Sequence, residues 1–298
     1  MTDTRNFGQI RFIQGEKRGR YPYCHTIYIE KAGVLIDPSA DRNYLEQLKK
    51  EKQVNSVWLT HWHEDHLMHL DLFSEVPLWM HEKDAPPLSD IDIFIDWYGL
   101  EMEEHENLVA NWRALLKNTF HFQPRVPERH LQDGDVVDLN GLTVEVIHCP
   151  GHSPGSLAFF FREPEILFLG DTDLTPFGPW YGDRYSNIEK IIHSVNRLKE
   201  IPAKIWLTSH EQGIFEENPG DLWGTYLNVI QTREDKLIDF LAVPRTLDEI
   251  ATAWIIYGKP KEPIADFKMM EQISMKKHAD RLIEKGIVVL EDGRYRVK

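Results

Sequence analysis

The stretch THWHEDH, residues 60 to 66, places three histidines and an aspartate within seven positions, directly after the strand-like run Val57, Trp58, Leu59. Donors this dense at the mouth of a strand restrict the fold to one that brings further donors to the same place, because an ion needs convergent ligands and a shell that holds them. The plain alternative is a hydrophilic turn rich in histidine, in a chain that has 14 of them. In His61-Trp62-His63 the i, i+2 spacing aims both imidazoles to one side if the segment stays extended. Asp65 and His66 must then point elsewhere, which two adjacent metal sites accommodate better than one. The helical pattern H-E-x-x-H is absent, since the fourth residue after His63 is Leu67, so the cluster belongs to a loop.

Candidate partners stand at the ends of three later strand-like runs. HCPGHSPGS (148–156) carries Pro150, Gly151, Pro154 and Gly155, which force a tight loop able to present His152 inward. In FLGDTDL (168–174) Gly170 lets the chain turn, and Asp171 leaves an apolar strand, a costly place for an unpaired carboxylate. WLTSHEQG (206–213) delivers His210 from a last strand. Donors at several strand ends meet along one edge of a sheet sandwich. His148 reads as a strand-end or supporting residue, Cys149 as a buried neighbour, and His25 and His69 as core histidines or supports for the ligand shell. His81, His105, His121, His130, His193 and His278 receive no assignment.

Hydrophobic periodicity places these motifs. Residues 25–30 and 33–37 read as a hairpin, 43–50 as a helix, 136–148 as two strands about Asn140-Gly141, and 187–200 as a helix before the strand at 204–208. Between Leu88 and Lys117 the pattern turns helical, and from Leu88 to Glu106 it holds seven acids and no Lys or Arg. This is a solvated helical face or an inserted lid (about 88–118) whose charge would disfavour anionic substrates. After Pro219 a long amphipathic helix follows as a connector (219–243). Residues 244–298 then open with the capping box Thr246-Leu247-Asp248-Glu249, continue with a helix containing Met275, Leu282 and Ile283, and end in two short strands about Asp292-Gly293. That order predicts a small winged-helix-like domain behind a catalytic domain of residues 1–218.

Charge separates the same two parts. Residues 244–298 hold 11 Lys and Arg against 9 Asp and Glu, a net of +2, so the remaining 243 residues carry −16 of the total −14. Such a balance disfavours nucleic acid as a partner. Two cysteines cannot build a disulfide framework, no apolar run approaches the roughly 20 residues of a membrane span, and Asp3 and Arg5 stand where a secretory signal would be apolar. The expectation is a cytoplasmic protein with no membrane partner.

The ordered set H-x-H-x-D-H, PGH, GD and a late strand-end histidine resembles the metallo-β-lactamase-fold hydrolase superfamily over roughly residues 20 to 215. The resemblance implies an α+β fold with a four-layer αββα sandwich. It implies one ion held by His61, His63 and His152, a second by Asp65, His66 and His210, and Asp171 bridging both. Imidazole and carboxylate suit two divalent ions, zinc first and iron or manganese as alternatives. A hydroxide between two such ions persists near neutral pH, so hydrolysis is the natural reaction, with Asp65 expected to orient the hydroxide and carry its proton. In TPFGPWYGDRY (175–185), just after Asp171, Trp180 and Tyr181 are candidates for the substrate wall, the alternative being a loop packed by its own aromatics.

Within that superfamily, Asp171 at the bridging position speaks against antibiotic hydrolysis, and the retained Asp65, His66 and His210 speak against single-iron members. The core is similar to glyoxalase II and related thioester or lactone hydrolases. The hairpin-ended tail is instead similar to the lactamase-β-2-like branch, which includes a single-stranded RNA endonuclease. Electrostatics favours a small acyl or ester-type substrate over RNA. A metal-dependent DNA-binding regulator would need a basic stripe, and Lys276, Lys277 and Arg281 alternate with Glu271, Asp280 and Glu284. In the favoured reading the tail covers the pocket or forms a homodimer surface.

Overall fold

The computed structural model describes residues 3–51, 53–100 and 106–298; His105 and the acids Glu101, Glu103 and Glu104 lie outside the described residues. A seven-stranded sheet runs in chain order through β1 (Thr4–Phe7), β2 (Ile10–Ile13), β3 (Thr26–Ile29), β4 (Val34–Ile36), β5 (Ser56–Trp58), β6 (Leu78–Met80) and β7 (Arg129–His130). Its first four strands are antiparallel and its last four parallel. Six further strands, β8 (Val136–Asp138), β9 (Thr143–His148), β10 (Leu157–Phe161), β11 (Ile166–Phe168), β12 (Ile205–Leu207) and β13 (Ile214–Phe215), form a second sheet in the reverse order β13 to β8.

The period-2 alternation of side chains decides the layering. Val34, Ile36 and Trp58 from one sheet meet Val144, Val146, Leu157, Phe159, Phe161, Ile166 and Phe168 from the other in a single core between them. The alternate residues face outward: Leu35 and Val57 against one helical layer, Ile147, Ala158 and Leu167 against the other. Strands apolar on both faces must be covered on both, which gives the αββα sandwich expected from the sequence.

The first helical layer holds α1 (Arg42–Lys50), capped by Asp41 on the Tyr44 N–H, with α2 (Pro86–Ser89), α3 (Ile91–Trp97) and α4 (Glu106–Asn118). Where the sequence suggested a solvated helical face or an inserted lid, α2 and α3 are short helices separated at Asp90, whose carboxylate caps α3. Phe94, Ile95, Tyr98 and Trp112 are buried against Trp62, so this layer packs as core. Two of its acids are paired: Asp92 with Arg113, and Asp96 with Arg184 at 3.1 Å.

On the second sheet lie α5 (Ile188–Lys199) and α6 (Leu222–Phe240), followed by α7 (Leu247–Ala251), α8 (Ile264–Glu284) and the hairpin β14 (Val288–Glu291), β15 (Arg294–Val297). The capping box forms as read from the sequence, Thr246 accepting from the Glu249 N–H and Glu249 reaching back to the Thr246 N–H. Met275, Ala279, Leu282, Val288 and Tyr295 bury against Tyr226, Ile230 and Leu237, in continuity with the outer face of the second sheet. Among the described residues no helix is long and apolar enough to cross a membrane.

Candidate metal centre

Loops after β5, β9, β11 and β12 bring His61, His63, Asp65, His66, His152, Asp171 and His210 together, as the strand-end argument anticipated. They form two trios. In the first, His61 Nε2, His63 Nδ1 and His152 Nε2 make a triangle with sides of 3.0, 2.9 and 3.1 Å. In the second, Asp65 lies 3.3 Å from His210 Nε2 and 3.9 Å from His66 Nε2. Asp171 stands between them: Oδ2 is 3.2 Å from His152 Nε2, and Oδ1 is 2.9 Å from His66 Nε2 and 3.4 Å from His210 Nε2.

The opposite nitrogen of each ring is committed outward. His61 Nδ1 faces Thr60 Oγ1 at 3.0 Å, a hydroxyl whose own proton goes to Asp37. His63 Nε2 donates to Asp183 Oδ2 at 3.0 Å and His152 Nδ1 to the Trp180 carbonyl at 3.2 Å. His66 Nδ1 donates to Asp37 Oδ2 at 3.0 Å, and His210 Nδ1 to the carbonyls of Gly19 (2.7 Å) and Tyr23 (3.0 Å). A neutral imidazole has one donor and one acceptor nitrogen. With every donor used outside, each ring offers a bare lone pair to the middle, and lone pairs 3 Å apart repel unless a cation lies among them.

Three observations fit that donor set to ions. The triangle is close to the roughly 3.3 Å ligand separation of a tetrahedral ion with bonds of about 2.05 Å. His66 Nε2 and Asp171 Oδ1 are buried without an aligned hydrogen-bond partner. Burial, with His66 next, pushes the His61 imidazole well below its usual range, and burial likewise lowers His63, so both stay neutral. In the polypeptide by itself burial opposes charge on His66 and His210, but the Asp171 carboxylate outweighs it and raises both well above the usual value. Imidazole must be neutral to bind metal, so an ion there would take the lone pairs that protons otherwise compete for.

Three carboxylates that support this shell, Asp37, Asp183 and Asp84, were not assigned from the sequence, which had offered His25, His69 and His148 for that role. Asp37, ending the apolar run of β4, accepts from the Thr60 N–H (2.9 Å), the Thr60 hydroxyl (2.8 Å) and His66, so one buried carboxylate orients a ring in each trio. It holds a left-handed backbone, φ 52°, of the kind retained where surroundings over-determine a residue. Asp183 caps the turn at Tyr185 and Ser186 with one oxygen and holds His63 with the other. Asp84 fixes the 150–156 loop through the Gly155 N–H (2.5 Å) and the Ser153 hydroxyl, and a Cβ at Gly155 would meet its carboxylate at 2.7 Å. His25 accepts from the Gly15 N–H at 3.0 Å, anchoring the turn that ends at the Gly19 carbonyl. His148 stacks on His81 and points to the Pro154 carbonyl; His69 faces Arg42. Cys149 is buried.

The two aromatic candidates separate. Trp180 is half-buried against His63 and His152, with ring centroids at 5.2 and 5.7 Å. Tyr181 is 1 % exposed in the core of the second helical layer, its hydroxyl bonded to Arg233 (2.6 Å) and His278 (2.7 Å). Its ring therefore serves packing, and the substrate-wall expectation passes to Trp180 alone.

The description "Metallo-beta-lactamase superfamily" matches residues 18–210. The chain belongs to that superfamily. Acyl-coenzyme A thioesterase MBLAC2 of Gallus gallus is 34% identical over 146 residues, 48% of this chain and 50% of that protein. Hydroxyacylglutathione hydrolase GloC of Haemophilus influenzae is 30% identical over 149 residues, 48% of this chain and 61% of that one. The chain thus matches about half the length of such relatives. Among solved structures, a beta-lactamase domain protein from Burkholderia ambifaria has TM-score 0.71 at 19% identity, covering 99% of this chain and 94% of its own. A metallo-beta-lactamase family protein from Thermus thermophilus has TM-score 0.65 at 21% identity, covering 97% and 93%. Both share the fold.

Proposed function

We propose that this chain is a metal-dependent hydrolase that cleaves a small acyl or ester-type substrate, with a thioester or lactone favoured. The observation that carries the reading is Asp171, which offers one carboxylate oxygen to each of two donor trios whose ligand atoms lie within 4.8 Å of one another. His61, His63 and His152 would hold one divalent ion, Asp65, His66 and His210 a second, and Asp171 both, with zinc the first choice for such nitrogen-rich sets. Bound ions supply Lewis acidity and bring the pKa of water toward neutrality.

The protein's own groups do the rest. Asp65, whose backbone carbonyl accepts from the Ser39 hydroxyl, is fixed beside His210 and is placed to take the proton of the attacking water. The water oxygen adds to the carbonyl carbon, the C–S or C–O bond breaks, and that proton leaves on the departing sulfur or oxygen. Trp180 shields the His152 side from bulk water and orients the acyl group.

Residues 1–218, 219–243 and 244–298 serve in this reading as catalytic domain, connector and winged-helix-like module, in a cytoplasmic protein. A nucleic-acid role for the module is disfavoured because the cations of α8 are engaged: Lys276 with Asp280, Lys277 with the Ser186 carbonyl, Arg281 with Glu189 and Glu234. The test is a panel of thioesters, lactones, phosphodiesters and short RNA assayed with zinc, manganese and iron forms. Turnover of acyl substrates is expected; turnover confined to phosphodiesters would replace the proposal with nuclease chemistry.

A further inference from the structure

A second set of donors of metal-ligating type lies outside the centre, on the first helical layer. The ligand atoms of His69, Asp71 and His121 all fall within 4.8 Å of one another. His69 precedes the short 3-10 turn Leu70–Phe73, Asp71 lies within it, and His121 follows α4. His69 Nδ1 faces Arg42 Nη1 at 3.3 Å, and a guanidinium only donates, so that nitrogen carries the lone pair. Burial, then Arg42 and His121, push His69 down to about 4, so its imidazole is neutral near pH 7. His121 Nδ1 faces the Met68 carbonyl at 3.2 Å and can only donate to it, which in the neutral ring leaves a lone pair on Nε2.

His121 is held in a left-handed backbone, φ 50°, of the kind retained where surroundings over-determine a residue. Buried Phe120 and Phe122 on either side fix it, their N–H groups on the carbonyls of Leu115 and Leu116. Asp71 and His121 also line a cavity of about 260 Å³, with Leu67, Leu70 and Ser74, which leaves room for an ion and its water. The cation now beside these donors is Arg42, which donates to both oxygens of Asp71 at 3.0 and 2.7 Å. Its side chain is 33 % exposed and its Nε lies 3.4 Å from Glu46, so it can leave Asp71 and stay paired. Asp41, Glu46 and Asp71 set three carboxylates against this one guanidinium. Arg125, also on the cavity, is spent on the carbonyls of Phe73 and Val76 and pairs with Glu128 at 3.6 Å. The local surplus is therefore negative, which favours an added cation.

We propose that His69, Asp71 and His121 form an accessory site for a further divalent transition-metal ion, entered when Arg42 swings from Asp71 to Glu46. Two imidazoles and a carboxylate select zinc, copper or nickel over magnesium or calcium. Three protein donors leave the cavity side to water, so the site is open and exchangeable, unlike a closed four-ligand structural site. The His69 N–H donates to the Pro38 carbonyl at 2.9 Å, beside Asp37, and His69 stands three residues after His66. Residues 66–71 thus carry donors of the second trio at one end and of the accessory site at the other. This goes beyond the proposed hydrolysis and does not depend on it.

The experiment titrates zinc by calorimetry into the full chain already loaded with zinc at the main centre. The natural chain should show one further, weaker binding event. Arg42→Gln removes the competing guanidinium and should tighten that event about fivefold or more. His121→Asn, where asparagine tolerates the left-handed backbone, and His69→Gln should each abolish it while atomic absorption still finds the tightly held zinc of the main centre. Zinc held adventitiously on other surface histidines would survive both histidine variants and ignore Arg42. Absence of a further event, its persistence in His121→Asn and His69→Gln, or no tightening in Arg42→Gln would overturn the proposal. None of these variants alters a donor of the main centre, so an event lost with His121 is assigned here however many ions that centre proves to hold.

Discussion

The two donor trios meet at Asp171 but are supported from opposite ends of the chain. The first is held by Asp183 and the Trp180 carbonyl, both in the loop at 175–186. That loop is gripped by C-terminal helices: Arg233 of α6 donates to the carbonyls of Phe177 (2.7 Å) and Pro179 (2.9 Å), and Lys277 of α8 to that of Ser186 (2.8 Å). The second trio leans on Asp37 and on the carbonyls of Gly19 and Tyr23, all within the first 40 residues. The two halves thus have largely separate supports, joined through Asp37, which holds His66 directly and His61 by way of Thr60, and a change in the C-terminal helices should reach one ion before the other.

The largest effect should come from the residue both halves share. Asp171→Ala removes the carboxylate that faces His66, His210 and His152 and leaves the trios without a bridge, so metal content should fall from two ions toward one or none per chain. Turnover should drop by at least about 100-fold. Atomic absorption on the purified variant checks this; two tightly held ions in Asp171→Ala would show that the trios bind independently.

Next is the lock between α6 and α8. Burial would raise the Glu234 carboxyl, but His278, Lys285 and Arg281 outweigh it and hold it down to about 2. A folded-state value below the unfolded one, near 4.3 for glutamate, adds stability that is fully present above that value. It is lost as pH falls toward 2, and amounts to on the order of 3 kcal/mol at neutral pH. Urea midpoints measured from pH 7 to 2 should show this loss in the natural chain, and a shallower one in Glu234→Gln. Identical acid profiles would mean that the lock contributes nothing.

How much of this could be read in advance depends on whether a residue carries its own local signal. His152 and Asp171 do, because Pro150, Gly151 and Gly170 beside them mark turns at strand ends. Asp37 and Asp183 are isolated carboxylates among 48 acids, and their roles depend on partners 29 and 120 positions away. Asp37 offered a faint clue, an acid closing the apolar run Val34, Leu35, Ile36, which is the context that singled out Asp171. Tyr181 could not be separated from Trp180 by sequence, since Arg233 and His278 decide its direction. The acidic stretch near residue 90 read as a solvated face or a charged lid because two of its partners, Arg113 and Arg184, follow later in the chain.

The supports themselves give a matched pair of tests. Asp183→Asn removes the charged acceptor from His63, and Asp37→Asn removes it from His66; losing such a partner costs about 10- to 100-fold in metal affinity. Chelator competition should resolve two ions, the weaker-bound one differing between the variants. Asp37→Asn also disturbs His61 through Thr60, so its second ion should suffer first and its first ion measurably. The same ion lost in both would refute separate support.

The smallest and most discriminating change is Lys277→Met. The Lys277 ammonium touches no donor of either trio; it holds the carbonyls of Arg184 (3.4 Å) and Ser186 (2.8 Å), one turn from the Asp183 carboxylate. Burial lowers the Lys277 pKa, so this contact is made at some desolvation cost, and methionine keeps the aliphatic stem while removing the charge. Loss of one hydrogen bond to a charged group at about 1.5 kcal/mol would loosen the turn carrying Asp183, and part of that reaches His63. The first ion should exchange about threefold to tenfold faster, the second should not change, and melting should shift by only a few degrees. If both ions loosen equally, the C-terminal helices stabilise the whole fold and do not single out the first trio; if neither does, the 175–186 loop holds its shape without them.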